Sequence, residues 1–173
     1  MRILSNKLAV LILVTLFFST AAMAQEAKLK AAFIYQFTRL LDWCPDGKSG
    51  DFTIGIVGND DEIARELNAL EGRNVGAQNI KVLKFTSTAD ITSCNIVVVP
   101  NSQSSQLPQV VNKTKSMSCV LVICDKEGAI NNGAGISFVS DGGKLSFEVN
   151  TEILKERKIK ISQQLLRLAQ NTI

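Results

Sequence analysis

From Glu26 to Trp43, Leu29, Ala32, Phe33, Phe37, Leu40 and Leu41 recur at three- and four-residue spacing, with Lys28, Lys30, Gln36 and Arg39 between them. That period predicts an amphipathic helix with a wide buried face. Pro45 and Gly47 end it. The pattern then changes to DFTIGIVG, Asp51 to Gly58, a short apolar run closed by glycine that suits a strand buried on both faces. Asn59-Asp60-Asp61-Glu62 opens a second helix, with a capping residue, acids in its first turn, and Ile63, Leu67 and Leu70 along its apolar side. The alternation repeats. Ile80 to Phe85 and Asn95 to Pro100 read as strands, Gln106 to Lys115 as a helix carrying Leu107, Val110, Val111 and Thr114, and Cys119 to Cys124 as a further strand.

Strands separated by helix-length segments require crossover connections, and such connections build a mostly parallel sheet with helices on both faces. The expected fold is therefore a three-layer, Rossmann-like α/β domain. Its end differs, because GISFVS and KLSFEVN flank Asp141-Gly142-Gly143, and Leu145, Phe147 and Val149 alternate with polar residues. Two strands across such a turn form a C-terminal β-hairpin at one side of the sheet. Ser162 then caps a last helix expected to bury Leu165, Leu166 and Leu168. No repeat interrupts this order.

The first residues set the compartment. Arg2 and Lys7 precede an apolar run from Leu8 to Phe18, and Ala22-Met23-Ala24 follows as a small-x-small cleavage site. A membrane-spanning helix needs roughly 20 apolar residues, and this run is shorter. Residues 1–24 are predicted to be a secretory signal peptide, leaving one α/β domain over 25–173 in the periplasm. Taking Arg2 and Lys7 from the chain's 19 basic residues leaves 17 against 16 acidic ones, a net charge of +1. Nothing in that balance points to nucleic acid.

The chain has no histidine, which removes the commonest general base and the partner of most serine and cysteine nucleophiles. No catalytic residue is assigned, and no cofactor is expected. Gly55-Ile56-Val57-Gly58 resembles a nucleotide-binding turn, but a fingerprint needs a third glycine and a free helix N-terminus. Here Asp60, Asp61 and Glu62 occupy that first turn and would repel a phosphate. Gly58 reads as a turn residue. Loops at the carboxyl ends of parallel strands are where open α/β sheets bind ligands, so a small molecule, if one binds, belongs between Gly58-Asn59 and Asn101-Ser102. Glu148 with Glu152, and Asp125 with Glu127, lack the partners that an acid–base site requires. Asn131 to Gly135 reads as a connection.

Four cysteines in an exported chain are disulfide candidates, and none is spaced as C-x-x-C for a closed metal site. Cys119 and Cys124 stand five residues apart on one strand, ~16 Å at ~3.3 Å per residue, beyond the ~7 Å limit between bridged Cα atoms. Cys44, Cys94 and Cys119 all fall toward the amino-terminal edge of a parallel sheet. Cys44 with Cys94 and Cys94 with Cys119 are both feasible, and Cys124 is expected as a buried free thiol.

Five segments carry a resemblance. KAAFIYQFTRLLDW from Lys30, FTIGIVGND from Phe52, SCNIVVVPNSQSS from Ser93, GISFVSDGGKLSFEVN from Gly135 and KIKISQQLLRLA from Lys158 together resemble the YfiR/HmsC-like periplasmic family, in order and over nearly the whole mature chain. The resemblance implies a small, non-enzymatic periplasmic regulator with an α/β sheet fold, acting as a homodimer. It implies binding to the periplasmic sensor segment of an inner-membrane signalling protein, a diguanylate cyclase, with release when an outer-membrane lipoprotein sequesters the regulator. Cyclic-di-GMP output and biofilm formation would follow. It also implies that Cys94 matches a cysteine that bridges to the first strand, where this chain has Gly55, and that Cys44 supplies the missing partner. The expected bridge is Cys44 to Cys94, with Trp43 packed beneath it.

Overall fold

Apolar residues at alternate positions along the strands feed two separate cores, one on each face of a central sheet. In this computed structural model, which describes residues 24–141 and 143–173, the predicted leader lies outside the described residues except for Ala24. A long helix, α1 (24–40), leads into β1 (Leu41–Asp42). Then follow β2 (Phe52–Val57), α2 (Asp61–Asn68), β3 (Asn74–Val75), β4 (Gln78–Phe85), β5 (Ile96–Val99) and α3 (Leu107–Thr114). The chain continues through β6 (Leu121–Cys124), β7 (Ile136–Asp141), β8 (Lys144–Val149), α4 (Thr151–Glu156), β9 (Lys160–Ile161), α5 (Gln163–Leu166) and β10 (Asn171–Thr172).

Among the described residues the large sheet runs β10-β8-β7-β6-β5-β2-β4-β3. Its centre, β4-β2-β5-β6-β7, is parallel throughout. In chain order those strands stand second, first, third, fourth and fifth, so the sheet is doubly wound and its direction of winding reverses between β2 and β5. The expected three-layer, mostly parallel architecture is present. So is the C-terminal hairpin, where Asp141 pairs with Lys144 and Gly143 takes φ +80°.

Even-numbered residues Ile54, Ile56, Ile96 and Val98 and odd-numbered Leu121 and Ile123 face one core, with α1, α2, α4 and α5 above them. Val97, Val99, Val120, Val122 and Cys124 face the other, covered by Leu107 and Val110 of α3 and by Ile91 and Ala129. This is the period of two, read on both faces of one sheet. Caps place the helices locally: Asp60, Asn150 and Ser162 each accept a bond from the backbone N–H three residues on. Arg157 donates to the carbonyls of Thr114, Lys115 and Met117 and so closes the C-terminus of α3.

The differences from expectation are local. α1 stops at residue 40 rather than Trp43, because Pro45 biases Cys44 to an extended backbone and Leu41–Asp42 pairs with β9. Leu29 and Ala32 of α1 and Leu168, all expected on buried faces, are exposed, and Ala31 and Ile34 take their place in the core. α5 has only one turn, so Leu165 alone of its leucines is fully buried.

The cysteine pairing is a correction. Cys44 is bridged to Cys119 across a Cα–Cα distance of 5.9 Å, and Cys94 and Cys124 are buried and free. Neither Cys44–Cys94 nor the alternative Cys94–Cys119 forms. All three residues do lie at the amino-terminal edge, but edge position leaves the face undecided. Cys94 packs with Phe85 and Val97 in the α3-side core. Trp43 leads Cys44 in on the opposite side, stacked edge-on against Phe52 at 5.0 Å. Cys119, in the left-handed region at φ 60°, turns out to meet it. Burial raises the Cys94 thiol to about 12 and the Cys124 thiol to about 11, so neither supplies a thiolate at neutral pH.

The bridge closes a 75-residue separation, for which loop-closure entropy gives about 4 kcal/mol of stabilisation. Peptide mapping of the unreduced protein should show Cys44 linked to Cys119, with Cys94 and Cys124 alkylated only after unfolding. Cys44→Ser should lower stability by a few kcal/mol in denaturant unfolding, with a steeper slope because the uncrosslinked unfolded chain exposes more surface. A Cys94-containing disulfide would refute this pairing.

Candidate functional site

Doubly wound sheets take ligands beyond the carboxyl ends of their strands at the point where the winding reverses. A crevice of about 410 Å³ occupies that place here. Asp60, Glu62 and Ile63 at the start of α2 form one wall, and Asn101 and Ser102 after β5 form a second. Asp125 after β6 forms a third, and the first turns of α1 close the remaining side with Glu26, Ala27 and Lys30.

Of the residues expected to bind a small molecule, Asn101 and Ser102 therefore line the crevice. Asn59 is exposed, and its neighbour Asp60 makes the wall instead. The residues from α1 and Asp125 were not legible as site residues. Lys30 and Asp125 are 95 positions apart, and in the sequence Lys30 is one of two lysines, with Lys28, on the polar side of a helix.

The crevice is acidic. Four carboxylates, Glu26, Asp60, Glu62 and Asp125, line it with one ammonium, Lys30. Lys30 Nζ lies 2.7 Å from Asp125 Oδ2 and 2.5 Å from Glu26 Oε1. Burial works to lower the lysine's pKa, and these two carboxylates more than offset it, holding it above the usual lysine range. Asp60 Oδ1 accepts from Ile63 N at 3.2 Å, so the α2 N-terminus is already capped.

Gly58 is no phosphate cradle. It takes φ +82°, its N–H donates to Phe85 O at 2.8 Å, and a Cβ there would meet the Gln103 side chain at 2.6 Å. The turn is filled from within. Glu148 has a structural role, accepting from Gly128 N at 3.0 Å and Ser137 Oγ at 2.9 Å. Among the described residues no group of three or more Cys, Asp or Glu is placed to hold a metal.

At the opposite edge of the sheet a second cavity, about 360 Å³, borders Cys94, Asn95 and Cys119. Asn95 is its main tie. Its Nδ2 donates to Gly47 O at 2.7 Å, and its Oδ1 accepts from Thr53 N at 2.9 Å. Gly55 stands beside Cys94, and a Cβ on Gly55 would lie 2.3 Å from the Phe85 ring. Phe85 thus fills the space that a bridging side chain on the first strand would need.

The chain is thus a doubly wound α/β domain with a crevice at its switch point, bordered by the N-terminal helix. The chain belongs to the YfiR/HmsC-like family, whose model matches residues 27–170. That family is periplasmic and regulatory rather than catalytic, and of the cyclic-di-GMP signalling kind. Two solved structures share the fold. One is an ABC domain in complex with L-Trp from Streptococcus pneumonia, at 17% identity and TM-score 0.52, covering 70% of this chain and 55% of that one. The other is a conserved domain protein from Vibrio cholerae O1 biovar El Tor strain N16961, at 14% identity and TM-score 0.51 with the same coverages. This chain therefore spans little more than half the length of either, and the likeness concerns the fold. No curated protein matches the chain.

Lys30→Met should lower stability at neutral pH by about 1–2 kcal/mol, because it removes a charge-assisted pair and leaves Asp125 facing Glu26. Since the folded-state pKa of Lys30 is raised, its contribution is complete below the ordinary lysine value of 10.5 and disappears as pH rises through the folded-state value. The gap in melting temperature between wild type and variant should stay constant from pH 6 to 9 and close in strongly alkaline buffer. A gap that closes on acidification alone would show that Lys30 is not the group responsible.

Proposed function

We propose that this chain is a non-enzymatic periplasmic regulator that binds the periplasmic sensor segment of an inner-membrane signalling protein of the diguanylate cyclase type and controls its output. The observation that carries the reading is the family match over residues 27–170. Exported as one domain after loss of a leader near Ala24, the protein acts as a removable ligand, so its chemistry is interface complementarity. Among the described residues, three large apolar side chains stand open to solvent, Leu29 at 45%, Leu168 at 57% and Ile173 at 44%. Exposed apolar anchors of this size suit a contact surface. An outer-membrane lipoprotein that competes for the regulator, and a homodimer as the circulating form, complete the reading.

Calorimetry of the oxidised chain with the purified outer segment of a membrane cyclase from the same organism should give saturable binding, and adding the chain to the full-length cyclase should change its output. Leu168→Glu should weaken that binding roughly tenfold. Absence of binding to any such segment sinks the reading.

The switch-point crevice supports a second reading, a periplasmic small-molecule sensor with Asn101 and Ser102 at its ligand; the ABC domain that shares the fold is itself in complex with L-Trp. An acidic lining with a single lysine fits an amino group better than a phosphate. Thermal-shift screens with amino acids and amines against nucleotides discriminate the readings: a rise in melting point with amines that Ser102→Leu abolishes supports the sensor, and a flat screen removes it.

A further inference from the structure

A third concavity lies away from the crevice, where α1 leaves the sheet. The last turn of α1, the segment from Trp43 to Lys48 and the β3–β4 hairpin enclose about 440 Å³, within the range of small-molecule sites. Its floor is Leu41, Trp43 and Val75, all buried in the core beneath. The polar atoms of the floor are already engaged. Trp43 Nε1 donates to Thr38 O at 3.1 Å, and Gln78 Nε2 donates to Gly50 O at 3.2 Å. The surface offered to a ligand is therefore apolar.

The rim carries charge of one sign. Arg39 and Lys48 are the charged lining residues, and no carboxylate lines the cleft. Lys48 is taken up by Asp42 at 2.6 Å. Arg39 is not: its guanidinium carbon sits 5.9 Å from the centre of the Tyr35 ring, and Arg73 approaches the same ring at 5.4 Å. Neither arginine is in an ion pair among the described residues. A contact with a ring face leaves the Arg39 charge uncompensated, so an anion at the rim still meets a favourable partner.

We infer that this cleft binds a small amphipathic carboxylate, its apolar body on Leu41, Trp43 and Val75 and its headgroup on Arg39. A guanidinium matches a carboxylate with two parallel hydrogen bonds. A neutral analogue keeps the floor contacts and loses the headgroup, while a cationic one meets Arg39 with like charge. The site is independent of the switch-point crevice and of the partner-binding reading.

Trp43 is the only tryptophan of the chain, so its emission reports directly on this cleft. Titration of the oxidised full chain with phenylacetate and with octanoate should change Trp43 emission saturably. Phenylacetamide should bind at least tenfold more weakly, and phenethylamine should give no saturable change. Arg39→Gln should weaken phenylacetate roughly tenfold and leave the amide unchanged, with Arg39→Lys recovering part of the loss. Ala77→Phe, which fills the mouth from an exposed position, should abolish both. The assignment is overturned by no saturation with either carboxylate, by equal affinity for acid and amide, or by indifference to Arg39→Gln. A response confined to acidic peptides also overturns it, because the cleft would then belong to a protein segment.

Discussion

The position of α1 governs both concavities, and four aromatic rings fix that position. Phe33 and Phe37 on the helix meet Phe138 and Phe147 on the terminal hairpin, with centroid separations from 5.1 to 6.3 Å. Phe37 is wholly buried. Each such pair adds about 0.5–1.5 kcal/mol beyond the apolar area it removes from water. Sliding the helix by one turn would move it about 5.4 Å along its axis and break every one of these contacts. The first turns of α1 are thereby held across the switch-point crevice, and its exit is held over Trp43 and the β3–β4 hairpin.

The exit is secured a second time by covalent and polar ties. Trp43 enters the core, Cys44 bonds to Cys119 at the start of β6, and the turn Pro45–Lys48 lies over that bridge. Asn95 then joins the turn to β2 through Gly47 and Thr53. Buried polar side chains are costly unless satisfied, and both ends of this amide are. Dispersion packing orients the helix, while the disulfide removes alternatives from the unfolded chain. The two effects act on different states, so neither substitutes for the other.

Much of this was legible in the chain. The apolar runs of β2, β5 and β6 suited strands buried on both faces, and the segments between them had helix length, so a parallel sheet was the expected arrangement. The general rule for open sheets pointed to Asn101 and Ser102, which line the crevice, and to Asn59, which does not. What escaped detection depended on long-range geometry. Two-residue strands such as β1 and β9 have no period to read. Lys30 joins the crevice only because α1 crosses the sheet, and nothing local to Lys30 reports that crossing. The cysteine pairing failed for a sharper reason. Strand order assigns an edge, but the choice of face depends on the backbone at Cys94-Asn95 and on the left-handed turn at Cys119, where simple alternation breaks.

The two concavities differ in what their electrostatics leave undone. In the crevice, at the place where this fold ordinarily binds ligands, the single lysine is already met by Asp125 and Glu26. A ligand anion would have to displace one of them, at a cost comparable to the charge-assisted bond it would form. At the cleft, Arg39 lines the rim beside Tyr35 without a carboxylate partner among the described residues. Binding energy comes from interactions the free protein has not already made, so a guanidinium without a carboxylate partner, beside an apolar floor, is the better-prepared anion site. The fold's customary site and its electrostatically open site have separated, and α1 spans the distance between them.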